Sequence, residues 1–113
     1  MFAWEKGKRL EVGISEGKKG AKIYKLNGIL FFGSVLNFKD LFDPENDPDT
    51  IVIDLKYARV MDFSALEAID SVAIKYKNLG KDCFITRPGE NCRALLENAE
   101  NITSIVIQED ENK

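Results

Sequence analysis

Residues 51–80, IVIDLKYARVMDFSALEAIDSVAIKYKNLG, decide the fold of this 113-residue chain. They open with Ile51-Val52-Ile53-Asp54-Leu55, a short β-branched run of the kind that forms a strand buried on both faces. Ser64-Ala65-Leu66-Glu67 then has the spacing of a capping box, in which a serine hydroxyl accepts from an N–H three residues on and the glutamate reaches back. From there Leu66, Ile69, Val72, Ala73, Tyr76 and Leu79 recur at helical spacing, while Glu67, Asp70, Lys75 and Lys77 fall on the other side. Gly80 stands where a left-handed cap would end the helix. The stretch predicts a strand, a loop with Ser64 at its apex, and an amphipathic helix over residues 64–79.

Working outward, Cys83-Phe84-Ile85-Thr86 reads as a second buried strand and Arg87-Pro88-Gly89 as a break. Residues 90–99 form a helix with Cys92, Leu95, Leu96 and Ala99 inward, and residues 102–108 a last apolar strand or helix start. Upstream, residues 10–15 and 21–26 read as two strands joined by a turn at Gly17-Lys18-Lys19-Gly20. Asn27-Gly28 is a turn signal ahead of the apolar Ile29-Leu30-Phe31-Phe32. Gly33-Ser34 opens a short helix through Phe42, with Ser34 as its N-cap, and residues 43–50 form an acidic, proline-bearing solvated connection. An initial hairpin followed by alternating strands and helices predicts an α/β domain with a mixed sheet.

Composition narrows the function. With 44% hydrophobic and 31% charged residues the chain suits one compact domain. No apolar stretch approaches the ~18 residues of a membrane span, so the chain by itself is expected to be soluble. Its formal charge of −3 offers no nucleic-acid surface. There is no histidine, and Cys83 and Cys92 lack CxxC spacing, which predicts two reduced, buried thiols with no metal and no disulfide. Phosphate-cradling glycine loops and a G-x-S-x-G elbow are also missing, and Ser64 has no histidine to activate it. The expectation is a protein that is not an enzyme and uses no cofactor. The acidic loop lacks the glycine and terminal glutamate of an EF-hand.

The charge is unevenly spread. Residues 1–26 hold seven basic and three acidic residues, net +4, which leaves −7 for the remainder of a chain at −3. Lysines guarding an edge strand would account for this, as would a segment lying near an anionic membrane leaflet. Phe2, Ala3 and Trp4 ahead of Lys6, Lys8 and Arg9 fit the end of a membrane helix, and fit an ordinary chain start equally.

The order of strand, VMDFSALEAID (residues 60–70), long helix and Gly80-Lys81 resembles the STAS domain, the module shared by anti-sigma factor antagonists and SulP anion transporters. The resemblance runs from about Leu10 to Ile107. In antagonists the apex reads Asp-Ser-Ser-Gly and its second serine is phosphorylated by a partner kinase. Asp62-Phe63-Ser64-Ala65 keeps the aspartate and the second serine but has Phe63 and Ala65 in the other two places. That departure, together with Ile29-Leu30-Phe31-Phe32-Gly33-Ser34, the acidic loop and Asn91-Cys92-Arg93-Ala94-Leu95-Leu96, looks like the transporter branch.

The resemblance implies a mixed sheet with helices packed mainly on one face. It implies a juxtamembrane-type linker over residues 1–9, the domain over 10–108 and a polar tail over 109–113, with Met1 the start of an excised C-terminal domain. The function implied is regulation and protein interaction at the cytoplasmic face of a multi-pass transporter of sulfate- or bicarbonate-like anions. Partners implied are the transporter's own membrane domain, a second copy of the chain and a cytosolic protein. The alternatives are a free-standing antagonist switched by phosphorylation at Ser64, and a small-ligand or nucleotide sensor. Ser64 is the regulatory candidate, with Asp62, Phe63, Ala65 and Glu67 supporting its loop and cap. The helix N-termini at Gly33, Ser34 and Ser64 are candidate anion contacts. Phe31, Phe32 and Phe63 are read either as core or, for Phe63, as an exposed anchor for a partner.

Overall fold

The computed structural model describes residues 10–97, 99 and 105–107. Its elements are β1 (Glu11–Glu16), β2 (Lys22–Leu30), α1 (Val35–Asp40), β3 (Thr50–Val60), α2 (Phe63–Asn78), β4 (Asp82–Thr86), α3 (Glu90–Glu97) and β5 (Val106–Ile107). The five strands lie in the order β1-β2-β3-β4-β5; β1 runs antiparallel to β2 and every other pair is parallel. The expected linker, the tail and residues 102–104 and 108 lie outside the described residues.

That order explains why the helices share a face. Parallel crossovers are right-handed, and strands that advance in one direction across a sheet return every crossover helix to the same side. Accordingly α2 rests on β4, α3 on β3, and α1 and α3 both flank α2. Beneath them Tyr24, Leu26, Ile51, Ile53, Leu55 and Ile85 are almost fully buried. Each contributes about 1.5–3 kcal/mol of burial. The opposite face carries Ile23, Val52, Phe84 and Val106 as one row in register across four strands.

The expected strand at residues 51–55 is interior, but it continues to Val60. Lys25 pairs with Asp54 and Asn27 with Tyr57, so β3 carries one extra residue there. This bulge inverts the alternation: Ile51, Ile53 and Leu55 point to the helices before it, Ala58 and Val60 after it. Asp54 holds the bulge, its Oδ1 accepting the Lys56 N–H at 3.0 Å, and its charge is met by Arg87. The Asn27-Gly28 turn signal is overruled; both residues lie inside β2, opposite the bulged stretch, with Gly28 at φ 131°.

The acidic connection is likewise more than solvated chain. Asp47 is 6% exposed. Its Oδ2 accepts hydroxyls from Tyr24 and Tyr76, each at 2.5 Å, and its Oδ1 pairs with Lys22 Nζ at 2.7 Å. Lys81 Nζ donates to the backbone carbonyls of Pro44 and Asp47 at 2.6 and 2.7 Å. A carboxylate, two buried phenols and two lysines therefore tie the loop to β2 and the end of α2. Burial, the largest single influence, raises the carboxyl's pKa, but the bonds from Lys22, Tyr24 and Tyr76 together outweigh it and hold Asp47 below its ordinary range. Cys83 and Cys92 are buried free thiols. Burial pushes them up to about 12 and about 11, where little reactive thiolate forms at neutral pH.

Candidate functional site

The apex of the β3–α2 connection is built differently from the capping-box expectation. Helix α2 begins at Phe63, and its cap is Asp62, whose Oδ1 accepts the Ala65 N–H at 2.9 Å. Aspartate and serine cap equally well, so Asp62, two residues earlier, claims the role and moves Ser64 into the first turn. The other oxygen, Oδ2, accepts the Phe32 N–H at 3.1 Å. One carboxylate thus staples the start of α2 to the turn at Phe32–Ser34. Glu67 is exposed and closes no box with Ser64.

Helix α2 otherwise keeps the expected stripe, with Leu66, Ile69, Val72, Ala73 and Tyr76 buried. Two positions depart from it: Asp70 is buried and Leu79 is 48% exposed. Gly80, at φ 76°, closes the helix; its N–H reaches the Lys77 carbonyl and the Lys81 N–H the Tyr76 carbonyl, both at 2.9 Å.

Ser34 is not an open anion contact. It is 4% exposed, and its hydroxyl accepts the Phe31 N–H and donates within the same turn, to the carbonyls of Ile29 or Phe31. It caps no helix through its side chain, and α1 has only six residues. At Gly33 a Cβ would sit 2.5 Å from the Phe31 ring, so a larger residue there needs that ring to turn aside. The three phenylalanines separate: Phe31 is half-buried, whereas Phe32 is 71% and Phe63 38% exposed.

Together these parts frame a groove of about 530 Å³ between α1 and α2. Phe32, Val35 and Lys39 line one wall; Ser64, Glu67 and Ser71, at helical spacing, line the other. The structure therefore brings Ser64 and Glu67 to this groove, whereas Asp62, Phe63 and Ser34 are not part of its lining. Sequence reasoning missed Leu36, 77% exposed on α1, because α1 is too short for its outer face to be read from periodicity. No cluster of three or more metal-ligating side chains occurs among the described residues.

A model of the STAS domain matches residues 14–113. The chain belongs to the STAS domain family. Its relatives span both branches. The Bacillus subtilis (strain 168) protein YbaR, which carries the name of a putative sulfate transporter, is 36% identical over 76 residues. That match covers 67% of this chain and 16% of YbaR, so this STAS domain corresponds to a small part of its relative's length. A STAS-domain antisigma-factor antagonist from Rhodobacter sphaeroides is 30% identical, with a TM-score of 0.64, covering 86% of this chain and 99% of that one. The unphosphorylated anti-sigma factor antagonist SpoIIAA (12% identity, TM-score 0.66) aligns over 89% of this chain and 90% of its own. SLC26A9 (13% identity, TM-score 0.58) aligns over 78% of this chain and 18% of its own. These two show the common fold: a mixed sheet with its helices on one face.

The cap assignment is testable. Asp62→Ala should cost about 1 kcal/mol or slightly more, because both the Ala65 and Phe32 amides lose an acceptor. Ser64→Ala should stay within about 0.5 kcal/mol of the parent, as an exposed residue without a structural bond does. Urea unfolding of the two variants measures the difference; the opposite ranking would return the cap to Ser64.

Proposed function

We propose that this STAS domain is the cytoplasmic, non-catalytic module of a SulP-type transporter of inorganic anions of the sulfate or bicarbonate kind. It acts by contact, coupling the membrane portion to a neighbour rather than turning over a substrate. The observation that carries this reading is the 36% identity with YbaR, a level that speaks for shared ancestry beyond a shared fold. The apex supports it. Phe63, 38% exposed, fills the place of a polar serine and so leaves an apolar side chain at the surface of the apex, available for contact.

A second reading, a free-standing antagonist switched at Ser64, draws on the antagonist from Rhodobacter sphaeroides and on the exposure of Ser64. A phosphate there would place about −2 charge beside Asp62, enough to disturb the carboxylate that staples Phe32 to α2. The two readings part in one experiment on the gene's whole product, expressed in cells lacking their own sulfate uptake. Under the transporter reading the polypeptide is recovered in the membrane fraction and takes up labelled sulfate or bicarbonate. Ser64→Asp then leaves uptake per folded molecule unchanged. Recovery as a free protein that a kinase phosphorylates on Ser64 would replace this reading with the second.

A further inference from the structure

Phe38 of α1, Leu66 of α2 and Cys92 of α3 all enter one core, packed over the inward rows of the sheet, so among the described residues no helix covers the other face. That bare face divides along the strands. Its lower half carries the row of Ile23, Val52, Phe84 and Val106. Above that row the alternation brings out Lys25, Asn27 and Ile29 on β2, in register with Asp54, Tyr57 and Arg59 on β3. Ile29 is 43% and Tyr57 65% exposed, diagonal neighbours on strands about 4.8 Å apart. Lys56 places its ammonium over the Tyr57 ring, 5.2 Å from the centroid. Lys25, Lys56 and Arg59 are exposed and make no ion pair among the described residues, while Asp54 is already met by Arg87. Glu11, opposite Asn27, is the one other carboxylate that the described register places on this half. The result is a flat pad of net +2, with an aromatic and an aliphatic side chain at its centre, on a chain of net −3.

Charge and shape choose the occupant. A second copy docked pad to pad about a two-fold axis would set like charge against like. An extended anionic surface fits better: the cytoplasmic leaflet attracts basic clusters, and tyrosine with aliphatic neighbours settles at the level of lipid headgroups. The point where the chain enters the sheet selects the same occupant. Residues 1–9, with Phe2 and Trp4 ahead of Lys6, Lys8 and Arg9, join β1 beside Glu11, and Glu11 is the cross-strand neighbour of Asn27. The entry therefore lies at the end of the sheet that carries the pad. Nine residues extend at most about 30 Å, so a membrane helix ahead of them would keep the pad within that reach of the leaflet. We infer that this pad rests on the anionic cytoplasmic leaflet, with Lys25, Lys56 and Arg59 against acidic lipid headgroups and Tyr57 and Ile29 seated among them. The tether, though not the pad's chemistry, rests on the transporter reading above.

The isotope-labelled 113-residue chain is mixed with vesicles of phosphatidylcholine, with and without phosphatidylserine, at an ionic strength where the screening length is about 8 Å. Sedimentation measures binding, and a spin-labelled lipid headgroup broadens the amides nearest the surface. Only vesicles with phosphatidylserine should bind, and residues 25–29 and 56–59 should broaden most. Lys56→Glu with Arg59→Glu should weaken binding at least about twentyfold, at about fivefold for each cation lost. Lys75→Glu with Lys77→Glu makes the same change in net charge on α2 and should weaken it far less. All four of these lysines and arginines are exposed, so the variants should keep the parent's melting temperature. Tyr57→Ser, which leaves the charge alone, should weaken binding severalfold. Equal losses from the two charge-matched pairs, no loss from the Lys56/Arg59 pair, or broadening centred on Lys18-Lys19 or on the Ser64 apex would overturn the proposal. So would tighter binding to polyglutamate or single-stranded RNA than to the vesicles, which would hand the pad to an acidic macromolecule. Failure of the transporter reading looks different: the gene's product washes off cell membranes in high salt while pad-dependent vesicle binding persists. A product that stays in the membrane, with vesicle binding indifferent to the pad, removes this inference alone.

Discussion

Asp47→Ala should cost about 3–5 kcal/mol, the largest loss expected from any single polar substitution in this domain. The carboxylate is the shared acceptor of the Tyr24 and Tyr76 hydroxyls and the counter-ion of Lys22. Lys22 is 29% exposed and can turn to water, but Tyr24 and Tyr76 are 1% and 0% exposed and cannot. Removing the acid strands two phenolic hydroxyls among apolar neighbours, at about 1–3 kcal/mol each. For a domain of this size the melting temperature should fall by more than about 10 °C. The effects should also be strongly non-additive: once Asp47 is gone, Tyr76→Phe should cost little, because the hydroxyl it removes is already unpaired.

The same cluster fixes the pH dependence. Asp47 has a depressed folded pKa, so its contribution is present above the ordinary 3.8 and is lost as pH falls below that value. Lys22 is raised above 10.5, chiefly by its bond to Asp47. Tyr24 and Tyr76 are raised above 10.0, chiefly by burial. Their contributions are intact below those ordinary values and are lost as pH climbs past them. Stability should therefore be flat through neutrality, with an acid limb below about pH 4 and an alkaline limb above about pH 10. In Asp47→Ala the acid limb should shrink. An unchanged acid limb, or a loss under about 1 kcal/mol by urea unfolding, would show that the loop is held by something else.

What the sequence made legible follows from how local each cause is. Strand β3 and helix α2 were readable because burial on both faces of one and a single stripe on the other leave periodic signatures over many residues. The bulge was not, because one inserted residue at Leu55-Lys56 inverts the alternation and makes the second half of β3 look like loop. The cap was half legible: Asp62 and Ser64 are both good capping residues, and it is Asp62 that meets both the Ala65 and the distant Phe32 N–H. The Asp47 cluster was hidden because its phenols come from positions 23 and 29 residues away. A signal did exist: two inward tyrosines each need a buried acceptor, and the loop between them is the nearest source of carboxylates. At the groove, Ser64 was found by family pattern, whereas the facing wall of Phe32, Val35 and Lys39 emerges only once α1 is laid beside α2.

Removing Arg87 should cost more than neutralising the carboxylate it serves. Asp54 is 4% exposed in the central strand, with Arg87 Nη2 at 2.5 Å and Nε at 3.3 Å. Arg87→Ala leaves that charge buried against one backbone N–H, a situation worth about 3–5 kcal/mol in a dry interior. The arginine side chain is 39% exposed, so water reaches the pair and screens it, which lowers the expectation to about 2–3 kcal/mol. Asp54→Asn should cost about 1 kcal/mol, because an amide oxygen can still accept from Lys56 and the Arg87 side chain is partly in solvent already. The double variant should be more stable than Arg87→Ala alone, since it removes the stranded charge. Backbone strain can be separated from this, because Arg87 sits at φ 54°, where an alanine is as disfavoured as an arginine and a glycine is not. Arg87→Gly should therefore recover about 1 kcal/mol relative to Arg87→Ala without restoring the pair. If Asp54→Asn proves as damaging as Arg87→Ala, the carboxylate matters as the anchor of the bulge, and the ion pair is incidental to it.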